Sequence, residues 1–416
     1  MSEPLHAFAG YGIELEYMIV DRHTLSVLPV ADTLLYSMAG TRVPETRLQN
    51  GKLGLSNELV MHLIELKNIR PESALDLGAL SSSFQSEVGH VNKMLKPLNA
   101  CLMPTAMHPW MIPLAETHLW PHDHAEIYRT YDRIFDCRRH GWSNLQSMHL
   151  NLPFFDDQEF SRLHAAIRLV LPILPALAAS SPFAEGSSSG FLDYRMENYR
   201  RHQSKVPSTI AEVIPETAVS RSGYDAQILQ LMYHEIAPLD PEGILKHEWL
   251  NVRGAVPRFD RNAIEIRMLD LQECPLADCA IAAVIIHLIR ELYEEKYSLL
   301  AEQQQMATGA LVSIMLSCIR DAEQSCIDNV AYLHLMGFPG NRCTAGELWN
   351  HLAETLCRRD ARQREAWQDA LDCILEHGPL ARRILRATDA SCAHSRLKEV
   401  YRQLCDCLAE GRMFHG

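Results

Sequence analysis

The amino-acid sequence predicts an α+β fold in which short strands come first and helices follow. Up to about residue 270, segments with alternating apolar and polar residues are separated by stretches with helical spacing. Beyond that point only the helical spacing remains. Because 47% of the 416 residues are hydrophobic, the chain can bury the large core that a layered α+β structure requires.

The predicted strands share a period of two residues, which places alternate side chains on opposite faces of a sheet. Helical stretches separate them, and no repeat of 20 to 50 residues connects them. The predicted strands are residues 11–20, 59–67, 101–107, 145–153, 247–256 and 263–269.

The C-terminal part of the chain predicts helices. Residues 276–302, LADCAIAAVIIHLIRELYEEKYSLLAE, have apolar residues at spacings of three and four, with charges towards the end. Further helices are expected at residues 309–325, 345–358, 360–376 and 393–410. We therefore divide the chain into a domain of residues 1–300 and a helical region, residues 301–416, packed on the same domain.

The charge and hydropathy of the chain argue against several classes of protein. The net charge of −13 disfavours nucleic acid or an anionic membrane as the main partner. The first residues, MSEPLHAF, lack the basic start and apolar stretch of a signal peptide, and the longest apolar runs are too short to span a membrane. We therefore expect a soluble cytoplasmic protein, and the sequence leaves a homodimer open.

The 12 cysteines do not have the spacing of a zinc site or a disulfide framework. The chain has no CxxC pair, and eight of the cysteines lie from Cys318 onward in helical sequence. In such positions cysteine usually acts as a small buried apolar residue.

Four of the predicted strands carry a polar row opposite an apolar row. In GIELEYMIV, residues 12–20, two carboxylates project from the same face. If that face is enclosed, each carboxylate must take up a proton, pair with a cation or bind a metal. The four rows contain Glu14 and Glu16; Glu65 and Lys67; Ser147, His149 and Asn151; and Glu265 and Arg267.

The rows have an ordinary interpretation and a functional one. An antiparallel sheet with one face in water gives the same alternation, a single histidine such as His149 is more often structural, and Glu265 with Arg267 can belong to a surface charge ladder. The recurrence of the pattern in four strands favours the functional interpretation. Paired in one sheet, the strands would form a concave face whose acids and imidazole hold divalent cations.

Six motifs resemble one protein family in their order and approximate spacing: GIELEYMIVD, ELVMHLIELKNIRP, TAMHPW, SMHLNLPF, SSPFAEGSSSGFLDYRMENYRR and LNVRGAVPRFDRNAIEIRMLD. The set, over residues 10 to about 295, resembles glutamate–cysteine ligase family 2, the carboxylate–amine ligases. The resemblance implies a glutamine synthetase-like catalytic domain in residues 1–300. Its curved antiparallel sheet would form a funnel with flanking helices, with ATP entering one end and the amino acid the other. Magnesium or manganese ions would lie between them.

The resemblance also implies roles for individual residues. The expected metal ligands are Glu14, Glu16, Glu65, His149 and Glu265. The residues expected at the reacting groups are Arg267, Glu265 and Arg195, with Arg267 against the transferring phosphate. The residues expected to bind ATP are Asn151, Arg253, Arg201 and Lys67. For Arg195, Arg201 and Arg253, an ordinary surface position is an equal alternative, and substrate carboxylate is an alternative ligand to ATP phosphate.

The implied activity is an ATP-dependent ligase that activates a carboxylate, the γ-carboxylate of glutamate by family resemblance, as an acyl phosphate and joins it to an amine. A phosphotransferase of the same fold, similar to guanidino kinases, and a catalytically silent binding relative are the alternatives. Three departures from the family pattern leave open both the amine and whether glutamate is the acid. Asn151 stands where a second histidine is common, Lys67 stands where a neutral residue is usual, and the sequence beyond about residue 300 differs from the usual ending.

The segment AEGSSSG, residues 184–190, predicts a mobile loop. It lies just before Arg195 and Arg201 in the sequence. Two glycines and three serines cannot build a core element, and the glycines allow a hinge. The segment is interpreted first as a plain exposed connector, with closure over the substrate as the alternative.

Overall fold

An eight-stranded antiparallel sheet forms the centre of the structure, which is a computed structural model. It describes residues 4–48, 51–71, 77–357, 367–388 and 393–416. The sheet contains β1 (Gly12–Asp21), β2 (Glu45–Arg47), β3 (Leu53–Asn57), β4 (Leu63–Asn68), β5 (Ala100–Met103), β6 (Ser147–Pro153), β9 (Ala255–Arg258) and β10 (Ala263–Asp270). Two small hairpins are formed by β7 (Phe183–Ala184) with β8 (Ser187–Ser188) and by β11 (Cys326–Ile327) with β12 (Cys343–Thr344).

Strand β1 is at the middle of the sheet, whose order is β2-β3-β4-β1-β6-β10-β9. Strand β4 pairs with one edge of β1. Along the other edge, β6 pairs with the first part of β1 and β5 with its end. Strands β4, β1, β6 and β10, which carry the four polar rows, are therefore consecutive neighbours.

Helices cover one face of this sheet. The apolar row of β1, including Ile13, Leu15 and Tyr17, is fully buried in the main core. The apolar rows of β4, β6 and β10 join the same core, as do residues of the long helices. The polar rows consequently share the opposite face, as strand alternation requires.

The helices have the following bounds: Ala31–Ala39, Leu77–Leu95, Pro113–Glu116, Ala125–Phe135, His140–Ser143, Asp157–Val170, Pro175–Ala178, Tyr194–Tyr199, Arg221–Tyr224, Gln230–Ile236, Pro275–Tyr293, Leu300–Gln305, Thr308–Asp321, Val330–Leu335, Ala345–Cys357, Gln368–His377, Leu380–Thr388 and His394–Glu410. A π-helical turn, Asp225–Leu229, connects two of them. Within the described residues, none of the helices is long and apolar enough to cross a membrane.

The last helix packs back on the first half of the chain. Helix His394–Glu410 contacts β5 and helix Leu77–Leu95, and Gln85 Nε2 donates to the Leu408 carbonyl over 2.8 Å. Near the C-terminus, Arg383 pairs with Glu273, and both side chains are fully buried. The α+β architecture is confirmed, whereas the proposed division at residue 300 stays a prediction.

Several predicted elements have different bounds in the structure. The strand predicted at 101–107 ends at Met103, and the one predicted at 247–256 begins only at Ala255. The helix predicted at 276–302 is interrupted between Tyr293 and Leu300. Residues 360–366 of a predicted helix lie outside the described residues. Strands β2 and β3 and helix Leu380–Thr388 were missed; β2 and β3 are short and lack a clear alternation.

Candidate active site

Cross-strand pairing brings the acidic residues of the polar rows together. Glu14 of β1 lies opposite His149 of β6, and Glu16 lies opposite Glu65 of β4. On the far side of β6, Glu265 of β10 lies opposite Asn151. Directly opposed residues point to the same face with Cβ atoms about 5 Å apart, so the four strands present one continuous polar surface.

The acids form two overlapping groups whose ligand atoms lie within 4.8 Å of one another. One group is Glu14, Glu65 and His149, and the other is Glu16, Glu58 and Glu65. Imidazole Nδ1 of His149 lies 3.1 Å from Glu14 Oε2, and Nε2 lies 3.7 Å from Glu16 Oε1. Since Glu65 belongs to both groups, we call these five residues the carboxylate cluster.

Neighbouring polar groups orient the carboxylate cluster. The amide and hydroxyl of Ser147 donate to Glu16 Oε2 over 2.6 and 2.7 Å. The Asn151 amide donates to Glu14 Oε1 over 3.1 Å. On the other side, Ser56 donates to Glu65 Oε1 over 3.0 Å, and Lys67 Nζ lies 2.9 Å from the same oxygen. Asn151 and Lys67, predicted to bind ATP, therefore contact the acids in this structure.

The acids of the cluster are only partly neutralised by the protein. Burial, together with the charge of Glu14, raises the pKa of Glu65 to about 7. Burial and the charges of Glu65 and Glu16 raise the pKa of Glu58 well above its ordinary value. Burial alone would lower the pKa of His149, but its hydrogen bond to Glu14 and the nearby Glu16 raise it. Such a set of crowded acids with one imidazole fits a divalent cation.

Glu265 lies beside the cluster but is paired with arginines. Arg258 Nε donates to its Oε2 over 2.7 Å, and Arg267 Nε lies 3.2 Å from its Oε1. Burial alone would raise the pKa of Glu265, yet these two arginines hold it below its ordinary value. Its Oε1 lies 3.8 Å from His149 Nδ1 of the cluster. In this structure Glu265 anchors the two arginines, and its role as a metal ligand stays a prediction.

A β-bulge fixes the position of Arg267. The register of β10 against β6 shifts between Ile266 and Leu269, and Arg267 donates its amide proton to the Gly254 carbonyl over 2.9 Å. A bulge re-aims the side chain that it contains. Here the guanidinium lines the same cavities as Glu16 and His149.

Arg195 stabilises the bulge through hydrogen bonds to Asp270 and to the Arg267 carbonyl. Its side chain is fully buried, its Nε donates to Asp270 Oδ1 over 2.5 Å, and both terminal nitrogens donate to the Arg267 carbonyl over 3.4 Å. Asp270 also accepts from the Ser180 amide and the Ser181 hydroxyl, each over 2.8 Å. Arg195 also lines a cavity at the site, so it is close to the predicted position.

Arg253 and Arg201 lie outside the two groups of acids, and their roles in ATP binding stay predictions. Arg253 is buried, and its Nε and Nη2 donate to the two oxygens of Glu216 over 2.7 and 2.8 Å. This pairing leaves it without a face towards the cluster. Arg201 has a side chain that is 64% exposed and lies 2.5 Å from Glu197, at the edge of a separate cavity.

Replacement of Arg253 by methionine tests its structural role. We expect a loss of about 2–3 kcal/mol of unfolding free energy, because a charge-assisted pair with Glu216 disappears. The KM for ATP should stay within about twofold, since Arg253 does not line the site. Urea unfolding and steady-state kinetics measure the two effects. A large rise in the KM for ATP with unchanged stability would instead support the predicted binding of ATP by Arg253.

Two cavities meet at the carboxylate cluster. The larger, of about 580 Å³, contains Lys246, Arg261 and the acids of the cluster, and we call it the charged cavity. The other, of about 360 Å³, adds rings and aliphatic side chains to the polar residues that it shares with the first, and we call it the aromatic chamber. Both are lined by Glu16, Glu58, His149, Trp249, Arg258 and Arg267. The cluster and Arg267 therefore lie where molecules from two sides can meet.

Sequence reasoning missed several residues of this site, among them Glu58 and Arg258. Glu58 follows directly after β3, where no alternation marks it, although it lies seven residues before Glu65 in the same acidic segment. Arg258 ends β9, and only its pairing near β10 brings it to Glu265. Basic residues in PRFDR, next to an acidic strand, were the available signal.

The segment 184–190 is part of a short hairpin. The Gly186 amide donates to the Pro109 carbonyl over 2.9 Å, and the Ser189 amide to Pro182 over 3.0 Å. Ser189 lines the same separate cavity as Arg201. Closure of this segment over substrate stays a prediction.

Comparison with known proteins identifies the class. The fold is similar to that of a glutamate–cysteine ligase from Francisella tularensis, solved in complex with AMP, with a TM-score of 0.57 and 12% identity over 98% of this chain and 90% of that chain. This likeness shows the fold, whereas the family to which the chain belongs makes it an ATP-dependent ligase that forms a carbon–nitrogen bond.

The particular family follows from the sequence. The model of glutamate–cysteine ligase family 2 matches residues 11–403, and the chain belongs to this family. The match includes the helical region, so the resemblance extends well beyond residue 295.

Two curated relatives are similar to this chain. An uncharacterized protein of Archaeoglobus fulgidus is 36% identical over 68% of this chain and 75% of its own length. A putative glutamate–cysteine ligase 2 of Bradyrhizobium sp. (strain ORS 278) is 24% identical over 68% of this chain. That match spans 62% of the Bradyrhizobium protein.

Proposed function

We propose that this ligase phosphorylates the γ-carboxylate of glutamate with ATP and transfers the resulting acyl group to an amine. The observation that carries the proposal is the cross-strand pairing of Glu14 with His149 and of Glu16 with Glu65, next to Arg267. A carboxylate is a poor electrophile, and both it and the triphosphate are anionic. Their reaction needs a site that assembles positive charge on a rigid scaffold.

The chain's acids fit Mg²⁺ or Mn²⁺. The ions would be held by Glu14, Glu16, Glu58, Glu65 and His149, because these groups are crowded and mostly buried, and the protein neutralises them only in part. Bound there, such ions would neutralise phosphate charge as Lewis acids. Ser147, Ser56 and Asn151 would keep the carboxylates in place through the hydrogen bonds they already make.

The first step is a displacement at phosphorus. An oxygen of the substrate carboxylate forms a bond to the γ-phosphorus, and the bond to the ADP oxygen breaks. Arg267, held by Glu265 and by the bulge, would donate to the phosphoryl oxygens as charge spreads over them. Lys246, Arg258 and Arg261 of the charged cavity would bind the remaining phosphates.

The second step is acyl transfer. The amine nitrogen forms a bond to the acyl carbon, inorganic phosphate leaves with the bonding electron pair, and the nitrogen releases a proton. Since the acyl phosphate also reacts with water, the enclosed surroundings of the cluster would favour the amine. Glutamate as the acid and the identity of the amine rest on the family's name, and so they belong to the proposal.

The proposal is tested by ADP release that depends on both substrates. Purified protein with ATP, Mg²⁺ and glutamate should form ADP and amide in equal amounts when a suitable amine is added. Matched reactions without glutamate or without amine give the background. Reactions with each of a panel of amines identify the acceptor. Phosphorylation of the amine without amide formation would instead identify a phosphotransferase.

A further inference from the structure

The aromatic chamber differs in chemistry from the charged cavity beside it. Five rings line it, those of Tyr128, Tyr131, Trp142, Tyr199 and Trp249. Aliphatic side chains, among them Leu63 and Val252, complete the apolar wall. Such a lining favours a ring or a branched apolar group, since apolar pockets bind by surface burial with few polar contacts.

Apart from Arg267, whose Nε also lacks one, two polar side chains in this wall have buried atoms without a hydrogen-bond partner among the described residues. Gln203 is fully buried, and neither its Oε1 nor its Nε2 has a hydrogen-bond partner among the described residues. The Tyr199 hydroxyl is likewise buried without a partner in the described part of the chain. Buried polar groups are almost always hydrogen-bonded in folded proteins. A ligand with a donor and an acceptor would satisfy both residues.

The nucleotide fits the other cavity better. The charged cavity holds Lys246 and Arg261, which do not line the chamber and which suit phosphates. It also contains His247 and Trp249, whose rings stack with centroids 4.0 Å apart and offer a flat surface for a base. The aromatic chamber is then left for a substrate other than the nucleotide.

The chamber adjoins a third cavity of about 750 Å³, which contains Arg201. Gly141, Trp142 and His202 line both spaces. At Gly141 a β-carbon would lie only 2.8 Å from the His202 Cβ, so glycine is required at this junction. None of these three residues lines the charged cavity, so the chamber adjoins the third cavity at a separate part of its wall.

We propose that the aromatic chamber binds the acceptor, and that the acceptor is a primary amine carrying a ring-sized apolar group with a hydrogen-bonding substituent. Gln203 and the Tyr199 hydroxyl pair with that substituent and determine specificity. This inference rests on the proposed function and names its acceptor class. A small acceptor such as cysteine would leave most of the rings and both polar groups uncovered.

Kinetics with matched amines test the inference. With ATP and glutamate, kcat/KM for 4-hydroxyphenethylamine should exceed that for phenethylamine by about tenfold or more, because a buried site rejects an analogue that leaves its polar groups unpaired. The kcat/KM for each of these two amines should also exceed that for cysteine and that for ethanolamine. Equal or better use of cysteine or ethanolamine would overturn the inference and leave the ligase function intact.

Variants separate a specificity role from a structural one. Gln203→Leu should erase the preference for the hydroxylated amine and raise its KM about tenfold, with the KM for ATP unchanged. The melting temperature of the free variant should stay equal or rise, because an unpaired buried amide is removed. Gln305→Leu makes the same change at an exposed position lining a different cavity and should leave the preference intact. A lower melting temperature with unchanged amine preference would make Gln203 structural.

Binding without turnover distinguishes failure of the inference from failure of the proposed function. Trp142 and Trp249 line the chamber, so 4-hydroxyphenethylamine should change tryptophan fluorescence in the absence of ATP and glutamate. Gln203→Leu should weaken this binding about tenfold, and Tyr199→Phe should weaken it less. Binding without any amide formation would count against the ligase proposal alone. Absence of binding to the wild-type protein at millimolar amine would overturn the acceptor assignment.

Discussion

Replacement of Glu65 by glutamine should abolish most of the thermal stabilisation by magnesium and lower ligase turnover by at least about a hundredfold. Glu65 is the acid shared by both groups of the carboxylate cluster, so its loss affects every ion position there. In the wild-type protein, metal at 100 times its dissociation constant should add about 2.7 kcal/mol to the unfolding free energy. Glutamine keeps the shape of the side chain but removes the charge.

Melting curves over a range of magnesium and manganese concentrations measure this effect. Glu399→Gln is the matched control, because Glu399 is exposed on the last helix and pairs with Arg396 over 2.9 Å. The control should retain the full metal response. If millimolar magnesium and millimolar manganese both leave the melting temperature of the wild-type protein unchanged, the cluster is ruled out as a metal site.

Replacement of Arg267 by lysine should lower turnover by about a hundredfold or more while the KM for ATP changes only a few-fold. Lysine keeps the positive charge, but it lacks the planar fork that reaches two phosphoryl oxygens at once. The bulge sets the backbone position of Arg267, and its Nε lies 3.2 Å from Glu265 Oε1, so the planar fork lies beside the cluster, where an ammonium cannot reproduce it.

Single-turnover and steady-state kinetics separate the two effects of the Arg267 change. Arg221→Lys serves as a control, since its guanidinium lies over Phe259, 5.1 Å from the ring centroid, and it lines neither cavity at the cluster. Normal turnover combined with a large loss of ATP affinity would make Arg267 a binding anchor for the ground state. That result would exclude a role of Arg267 in phosphoryl transfer.

The sequence predicted the acidic face because each strand carries its own signal. A period of two marks the row in β1, β4, β6 and β10 without any knowledge of neighbours. The register that places Glu14 against His149 depends on pairing across 135 residues of chain, which alternation alone does not encode. The family resemblance supplied the expectation that these strands share one sheet.

Residues outside regular strands were harder to predict. Glu58 lies in the turn after β3, and the partner of Arg253 is Glu216, 37 residues away in irregular structure. The sequence alone does not distinguish an arginine in a structural ion pair from an arginine that binds phosphate. The aromatic chamber is lined by segments that are widely separated in the sequence, from Glu16 to Arg267, so no local sequence pattern predicts it.

Transfer of ¹⁸O from substrate to phosphate tests the central claim most directly. Glutamate labelled with ¹⁸O in its γ-carboxylate is incubated with ATP, Mg²⁺ and an accepted amine, and the products are measured by mass spectrometry. The account predicts one labelled oxygen in each inorganic phosphate, because that oxygen bridges the acyl carbon and phosphorus before the amine attacks. Amide formation with unlabelled phosphate, or with the label in AMP, would contradict it.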